Sequence, residues 1–239
     1  MTSWKLFVDG PLSGALNMSI DDRLLQEAEG SSDPITMVRL YQWERPTVSL
    51  GRNQKPEAAV DLEFCRNQGI DIVHRPTGGR AVLHEDELTY AIVSNDTSLF
   101  GEGVYANYKR IAEALAGGLN RVGAAAALVP ETRHATRMPD GLDPPCFLSP
   151  SRYELTIAGR KVAGSAQRRL RRSFLQHGSI PLTCDRDKLA RVTRMADPSP
   201  LYQEMAGLNE FLSMPVTASA LVEALVSSFQ SCFEIEFRL

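Results

Sequence analysis

The sequence predicts an α+β fold in a single domain over residues 1–239, and three observations carry that prediction. Short β-rich runs, three of them in succession between Tyr153 and Ile180, alternate with stretches whose apolar residues recur at helical spacing. No internal repeat, low-complexity tract or linker divides the chain. Its 239 residues are 43% hydrophobic, enough for a sizeable core.

Trp4 to Val8 reads as an opening strand. Leu16, Ile20 and Leu24 then mark one face of a helix reaching about Glu29, which Gly30-Ser31-Ser32-Asp33-Pro34 ends. Met37–Tyr41 and Thr47–Gly51 are β-rich and separated by a turn containing Pro46. Ala58 to Gln68 is expected as one helix stopped by Gly69, followed by a strand from Ile70 to His74. Arg75-Pro76-Thr77-Gly78-Gly79-Arg80 is a loop by composition, with Ala81–Leu83 and Leu88–Val93 extended beyond it. Val104–Val122 is a long helix with Tyr108, Ile111, Leu115 and Leu119 on one side, and Ala126–Val129 a short strand. Residues 130–145 read as an irregular surface loop. Tyr153–Ile157, Lys161–Gln167 and Ser173–Ile180 are expected as an antiparallel meander whose first turn is Ala158-Gly159. Asp185–Arg194 and Ala218–Phe229 suit helices, and Phe233–Phe237 a closing strand.

With 26 basic against 29 acidic side chains, the molecule has no global attraction to nucleic acid or to an anionic membrane. The opening Met-Thr-Ser-Trp-Lys-Leu-Phe carries no long apolar run, so neither a secretory signal nor a membrane span is expected. Cys65, Cys146, Cys184 and Cys232 form no C-x-x-C pair and no cysteine joins a histidine cluster, so no metal is expected. The chain reads as a cytoplasmic protein with reduced thiols.

Cys146, at the end of the long loop, is the most informative residue, because Lys161 follows fifteen positions later. A thiol of ordinary pKa, about 8.5, is mostly protonated at neutrality and needs a nearby cation or base to act as a nucleophile. Lys161, flanked by Val162, Ala163, Gly164, Ser165 and Ala166, can supply one, although most lysines on hairpins are simply solvated. Cys65 and Cys232 read as packing residues. Cys184 is exposed by context, and Asp185 beside it opposes a thiolate. Gly78-Gly79 allows a ligand to approach the backbone, with Thr77, Arg75 and Arg80 beside it, but a turn needing positive φ explains two glycines equally well. His84, followed by Glu85-Asp86-Glu87, suits a satisfied histidine as well as a catalytic one, and His177 shares that ambiguity. Arg168, Arg169, Arg171 and Arg172 suit a solvated hairpin tip, or a docking patch for an acidic partner.

Taken together, Arg75–His84, Glu87-Leu88-Thr89-Tyr90, Cys146-Phe147, Tyr153-Glu154-Leu155, Gly159–Gln167 and Gln176–Ile180 resemble the biotin/lipoate protein ligase family, most closely its LipM-type octanoyltransferase branch. The likeness runs from about Asn17 through Ile180. It implies a single catalytic domain with a mixed, mainly antiparallel sheet flanked by helices. It also implies transfer of an octanoyl group from octanoyl-acyl carrier protein to a lysine of a lipoyl-accepting protein, the glycine cleavage H protein or a dehydrogenase E2 domain, by an enzyme expected to be a monomer. Cys146 matches the acyl-thioester nucleophile and Lys161 its partner. Arg75, Thr77, Gly78, Gly79, Arg80, His84, Gly164, Ser165 and His177 match the substrate site.

Family ligases commonly carry Ser and a third Gly where this chain has Thr77 and Arg80, and they need no cysteine at 146. Exchange between thioesters is close to neutral and amide capture is downhill, so no cofactor and no ATP are expected. An ATP-dependent lipoate or octanoate ligase and a non-catalytic acyl- or carrier-protein-binding module are the alternatives.

Overall fold

The computed structural model of the chain describes residues 2–101, 103–131, 148 and 152–238. Strand β1 (Thr2–Leu12), helix α1 (Gly14–Gly30) and strand β2 (Thr36–Trp43) form a crossover unit, with β1 and β2 parallel. Ser13 caps the helix, its hydroxyl accepting from the Leu16 amide, as expected of serine at a helix start. β2 lies antiparallel to β6 (Glu87–Ser94), β6 to β11 (Phe174–Pro181), and β11 to β10 (Gly164–Arg169). The closing strand β12 (Ile235–Arg238) joins β1 in parallel, giving a six-stranded sheet of order β10-β11-β6-β2-β1-β12.

The central strands are apolar on both faces because each face is covered. Val38, Leu40, Leu88, Tyr90 and Ile92 point to a core shared with α4 (Val104–Arg121) and α7 (Ala218–Phe233). Met37, Tyr41, Ala91 and Val93, the alternate residues, face α1. Two three-stranded sheets flank this one. β3 (Thr47–Leu50) pairs with β4 (Asp71–His74) and β5 (Val82–His84), while β7 (Ala127–Glu131), β8 (Arg152–Ile157) and β9 (Arg160–Lys161) form the other.

Several expectations are corrected here. The helix expected over Ala58–Gln68 is two, α2 (Pro56–Ala59) and α3 (Leu62–Asn67), because Val60 is extended and Asp61 caps a fresh start by accepting from the Phe64 amide at 2.9 Å. The expected strand Lys161–Gln167 breaks at Val162-Ala163, so β9 pairs with β8 and β10 with β11 in another sheet, and there is no meander. Its first hairpin turn holds, since Ala158 and Gly159 both have positive φ. The last helix runs on to Phe233 and ends at left-handed Glu234, which shortens the closing strand. Two further helices, α5 (Arg186–Val192) and α6 (Ser199–Glu204), precede it, and α6 went unread.

The buried face of α1 also differs from the expected one. Leu16 is 46% exposed, and the inward residues are Asn17, Met18, Asp21, Leu24, Leu25 and Ala28. Two polar side chains on an inner helix face need partners there.

Candidate active site

Those partners begin with Arg39, fully buried on β2. Its Nη1 donates to Asp21 Oδ1 at 2.9 Å, its Nη2 to Asn17 Oδ1 at 2.7 Å, and its Nε to Asp9 Oδ2 at 2.6 Å. The second Asp21 oxygen accepts from Tyr41 Oη at 2.9 Å and faces His177 Nδ1 at 2.8 Å. A carboxylate only accepts, so Nδ1 carries the imidazole proton and Nε2 is left to accept from the Thr77 hydroxyl, 2.7 Å away. Burial lowers the His177 pKa below its ordinary value, against the opposing pull of Asp21. A neutral ring in this chain therefore fastens the glycine loop to β11.

A second chain lies alongside. Glu87, on β6 and buried, accepts from Ser179 and Thr89 and from Trp43 Nε1 at 3.2 Å, and faces His84 Nδ1 at 2.9 Å. His84 Nε2 is 2.7 Å from Ser49 Oγ, and the imidazole stacks on the Trp43 indole with centroids 4.0 Å apart. Burial by itself raises the Glu87 pKa, but the electrostatic pull of His84 and the hydrogen bonds from His84, Ser179 and Thr89 outweigh it and hold the carboxyl below its ordinary value.

Arg75 ties the loop to this second chain. Its Nη1 donates to the Ser49 carbonyl at 2.8 Å and Ser49 Oγ at 3.2 Å, its Nε and Nη2 to the Gly78 carbonyl at 3.1 and 2.8 Å, and its Nη2 to the Arg80 carbonyl at 2.7 Å. Expected as a cation beside a ligand, Arg75 shapes the loop from beneath. Gly79, at φ 96°, supplies the left-handed residue, while Gly78 has no positive φ.

These chains wall one cavity, lined by Ser49, Arg75, His84 and His177 together with Met18, Tyr41, Trp43 and the Gly164–Ala166 run of β10. Gly178 opposite is required: a Cβ there would stand 2.5 Å from the Gly164 carbonyl oxygen and 2.7 Å from the Tyr90 ring. Tyr90 Oη and Ser165 Oγ are 2.6 Å apart, and burial pushes the phenol up to about 12. Of the expected site residues, Arg75, His84, Gly164, Ser165 and His177 line this cavity, and Thr77 reaches it through His177. Asp21, Arg39, Trp43, Ser49 and Glu87 join the site without any local signal of their own in the sequence, although Glu87 opens the Glu87-Leu88-Thr89-Tyr90 motif.

Lys161 does not line the cavity. It is buried on β9, three residues before Gly164, and its Nζ donates to Glu154 Oε1 at 2.6 Å. The lysine expected among small side chains is thus met by a carboxylate on the neighbouring strand. Cys146 lies outside the described residues. Leu148, two residues after it, is buried with Val82, which lines the cavity, and with Met205, which bridges to Lys161.

The other cysteines are distinguished by burial. Cys65 is buried, and burial raises its pKa. Cys184, expected exposed, is half-buried, with its thiol pushed up to about 12 by burial. Cys232, expected as a packing residue, is exposed. The arginine hairpin is only partly a solvated tip: Glu29 on α1 accepts from the Arg172 and Ser173 amides at 3.0 Å, and Arg168 lies 3.4 Å from Asp22. Among the described residues no three His, Cys, Asp or Glu side chains cluster as metal ligands, and no helix is long and apolar enough to cross a membrane.

A crossover-built mixed sheet, a glycine loop held from behind and the cavity beside it fit a catalytic domain of the lipoyl-ligase class. The chain belongs to the lipoyl protein ligase A/B catalytic domain family, whose model matches residues 13–230. It is 38% identical to the octanoyltransferase LipM of Moorella thermoacetica over 98% of this chain and 88% of that relative. Against the octanoyltransferase LipM of Carboxydothermus hydrogenoformans the identity is 39%, over 99% of this chain and 89% of that relative. These relatives bear out the resemblance in the motifs, and the chain is an enzyme of the acyltransferase class.

Among solved structures the fold matches a lipoate-protein ligase A bound with ATP, at TM-score 0.78 and 23% identity over 99% of this chain and 88% of that one. It also matches a lipoate protein ligase of T. acidophilum with bound lipoic acid, at TM-score 0.76 and 21% identity over 99% of this chain and 88% of that one. Identities this low speak for the fold alone.

Proposed function

We propose that residues 1–239 act as one catalytic domain that moves an octanoyl group from octanoyl-acyl carrier protein, through a thioester on Cys146, to a lysine of a lipoyl-accepting protein in lipoate assembly. The acceptor class is the glycine cleavage H protein or a dehydrogenase E2 domain. The observation that carries this reading is the placement of Leu148. Leu148, two residues beyond Cys146, is buried in one apolar cluster with Val82 of the cavity wall and with Met205, the bridge partner of Lys161.

In this reading Cys146 attacks the donor thioester, the pantetheine thiol leaves, and the acceptor amine then displaces Cys146 as an amide forms. Lys161, held by Glu154, supplies positive charge to the thiolate. The Met18, Tyr41 and Trp43 side of the cavity takes the acyl chain. The loop of Thr77, Gly78, Gly79 and Arg80 does not line it and is held beside it by the lining residues Arg75 and His177. The full transfer, thioester to thioester to amide, runs downhill without ATP.

The test is intact-protein mass spectrometry after mixing with octanoyl-carrier protein and no ATP. The wild-type chain gains one octanoyl mass, and Cys146→Ala gains none. Modification of the acceptor by Cys146→Ala at the wild-type rate would remove the nucleophile, and modification only with free octanoate, ATP and magnesium would make the chain a ligase.

A further inference from the structure

We infer that Ser49, His84 and Glu87 form a proton relay that deprotonates the incoming acceptor lysine, a role that rests on the transfer reaction proposed above. The need is chemical. A lysine ammonium of pKa about 10.4 is not a nucleophile until it loses a proton, and the groups that take it must open onto the site.

Two carboxylate–histidine–hydroxyl chains stand at the cavity, and only one has the right ending. In the Asp21–His177–Thr77 chain the terminal residue is absent from the cavity lining, so that chain positions the glycine loop. In the Glu87–His84–Ser49 chain the terminal hydroxyl belongs to a lining residue.

The hydrogen-bond directions suit the transfer. Arg75 Nη1 donates to Ser49 Oγ at 3.2 Å and takes one of its two lone pairs. The Ser49 proton then points along the 2.7 Å contact to His84 Nε2, because Nδ1 carries its own proton toward the Glu87 carboxylate at 2.9 Å. One Ser49 lone pair remains for an ammonium N–H. His84 is held in place for this exchange, with the Glu87 carboxylate at one edge and the Trp43 indole stacked 4.0 Å away. The charged and titratable groups around it are Glu87 from β6, His177 from β11 and Arg75 acting through Ser49.

The step balances. An ammonium N–H breaks as an O–H forms at Ser49, whose original O–H breaks as an N–H forms at His84 Nε2. The neutral amine attacks the thioester carbonyl, the C–N bond forms, and the C–S bond breaks with its electron pair on Cys146 sulfur. A second amine proton passes to that sulfur, and the imidazolium returns its proton to water.

The experiment starts from isolated octanoyl-enzyme freed of donor. It measures loss of the octanoyl mass to an apo lipoyl domain and, separately, to hydroxylamine, whose amine is already neutral at pH 7. The ratio of the two rates should fall about 100-fold in His84→Gln and Ser49→Ala, the range expected for removing a general base, and recover in Ser49→Thr, which keeps the hydroxyl. A merely structural role would lower both rates together; an unchanged ratio in either variant overturns the relay. Glu87→Gln gives the same reading should either variant fold poorly by thermal unfolding. A wild-type chain that never gains octanoyl would instead sink the transfer reaction, and the relay with it.

Discussion

Asp21→Ala removes the carboxylate that closes the buried network behind the cavity, and its cost follows from what is left unpaired. Asp21 and Arg39 are both 0% exposed, and the pair is joined at 2.9 Å. With Asp21 gone, Arg39 keeps Asp9 at 2.6 Å on Nε, but its Nη1, the Tyr41 hydroxyl and the His177 Nδ1 proton all lose an acceptor. Asp9 still offsets the Arg39 charge, so the cost comes from the three donors left short of an acceptor, about 1–3 kcal/mol each, and the loss falls at about 3–5 kcal/mol, the range for breaking a buried pair from one side. For a chain of this size each kcal/mol shifts Tm by about 2–4 °C, so the variant should melt roughly 6–20 °C lower. Urea unfolding with a shared m-value gives the free energy directly. A loss below about 1 kcal/mol, the scale of a solvent-exposed pair, would refute the claim that Asp21 is a buried keystone of the site.

Two further outcomes follow from burial. His177 has its pKa lowered from 6.5, first by desolvation, so above pH 6.5 the ring is neutral folded and unfolded and adds no slope. Below that, the unfolded chain binds the proton first and stability falls until the folded pKa is passed, whereas the loss from Glu87 belongs below its ordinary 4.5. His177→Gln should flatten the decline in urea-unfolding free energy just below pH 6.5, and a decline as steep as wild type would contradict the assignment. Among Cys65, Cys184 and Cys232, iodoacetamide should modify the exposed Cys232 first, since burial raises the pKa of the other two. Peptide mapping that finds Cys184 labelled as fast would contradict its burial.

What the chain's order of residues determined by itself was local. The α+β class, the first helix after an opening strand, the long helix over residues 104–121 and the Ala158-Gly159 turn all rest on periodicities of two and 3.6 or on φ preferences, which act over a few residues. The family motifs likewise announced Arg75, His84, Gly164, Ser165 and His177, residues that the fold gathers at one cavity.

The tertiary structure alone decided which polar residues face inward and what they meet. On α1 the apolar spacing of Leu16, Ile20 and Leu24 placed Leu24 inward correctly but not Leu16, because Asn17 and Asp21 are buried in its place, where Arg39, 18 positions beyond Asp21, pairs with both and Tyr41 and His177 meet the second Asp21 oxygen. Ser49 joins His84 across 35 positions and Thr77 joins His177 across 100, partnerships that no local propensity encodes. The break at Val162-Ala163 has the same cause: one β run was shared between two sheets, and hydrogen bonding to separated strands rather than intrinsic preference set where it divides. Burying polar groups is costly unless each finds its partner, and those partners are fixed only when distant strands come together.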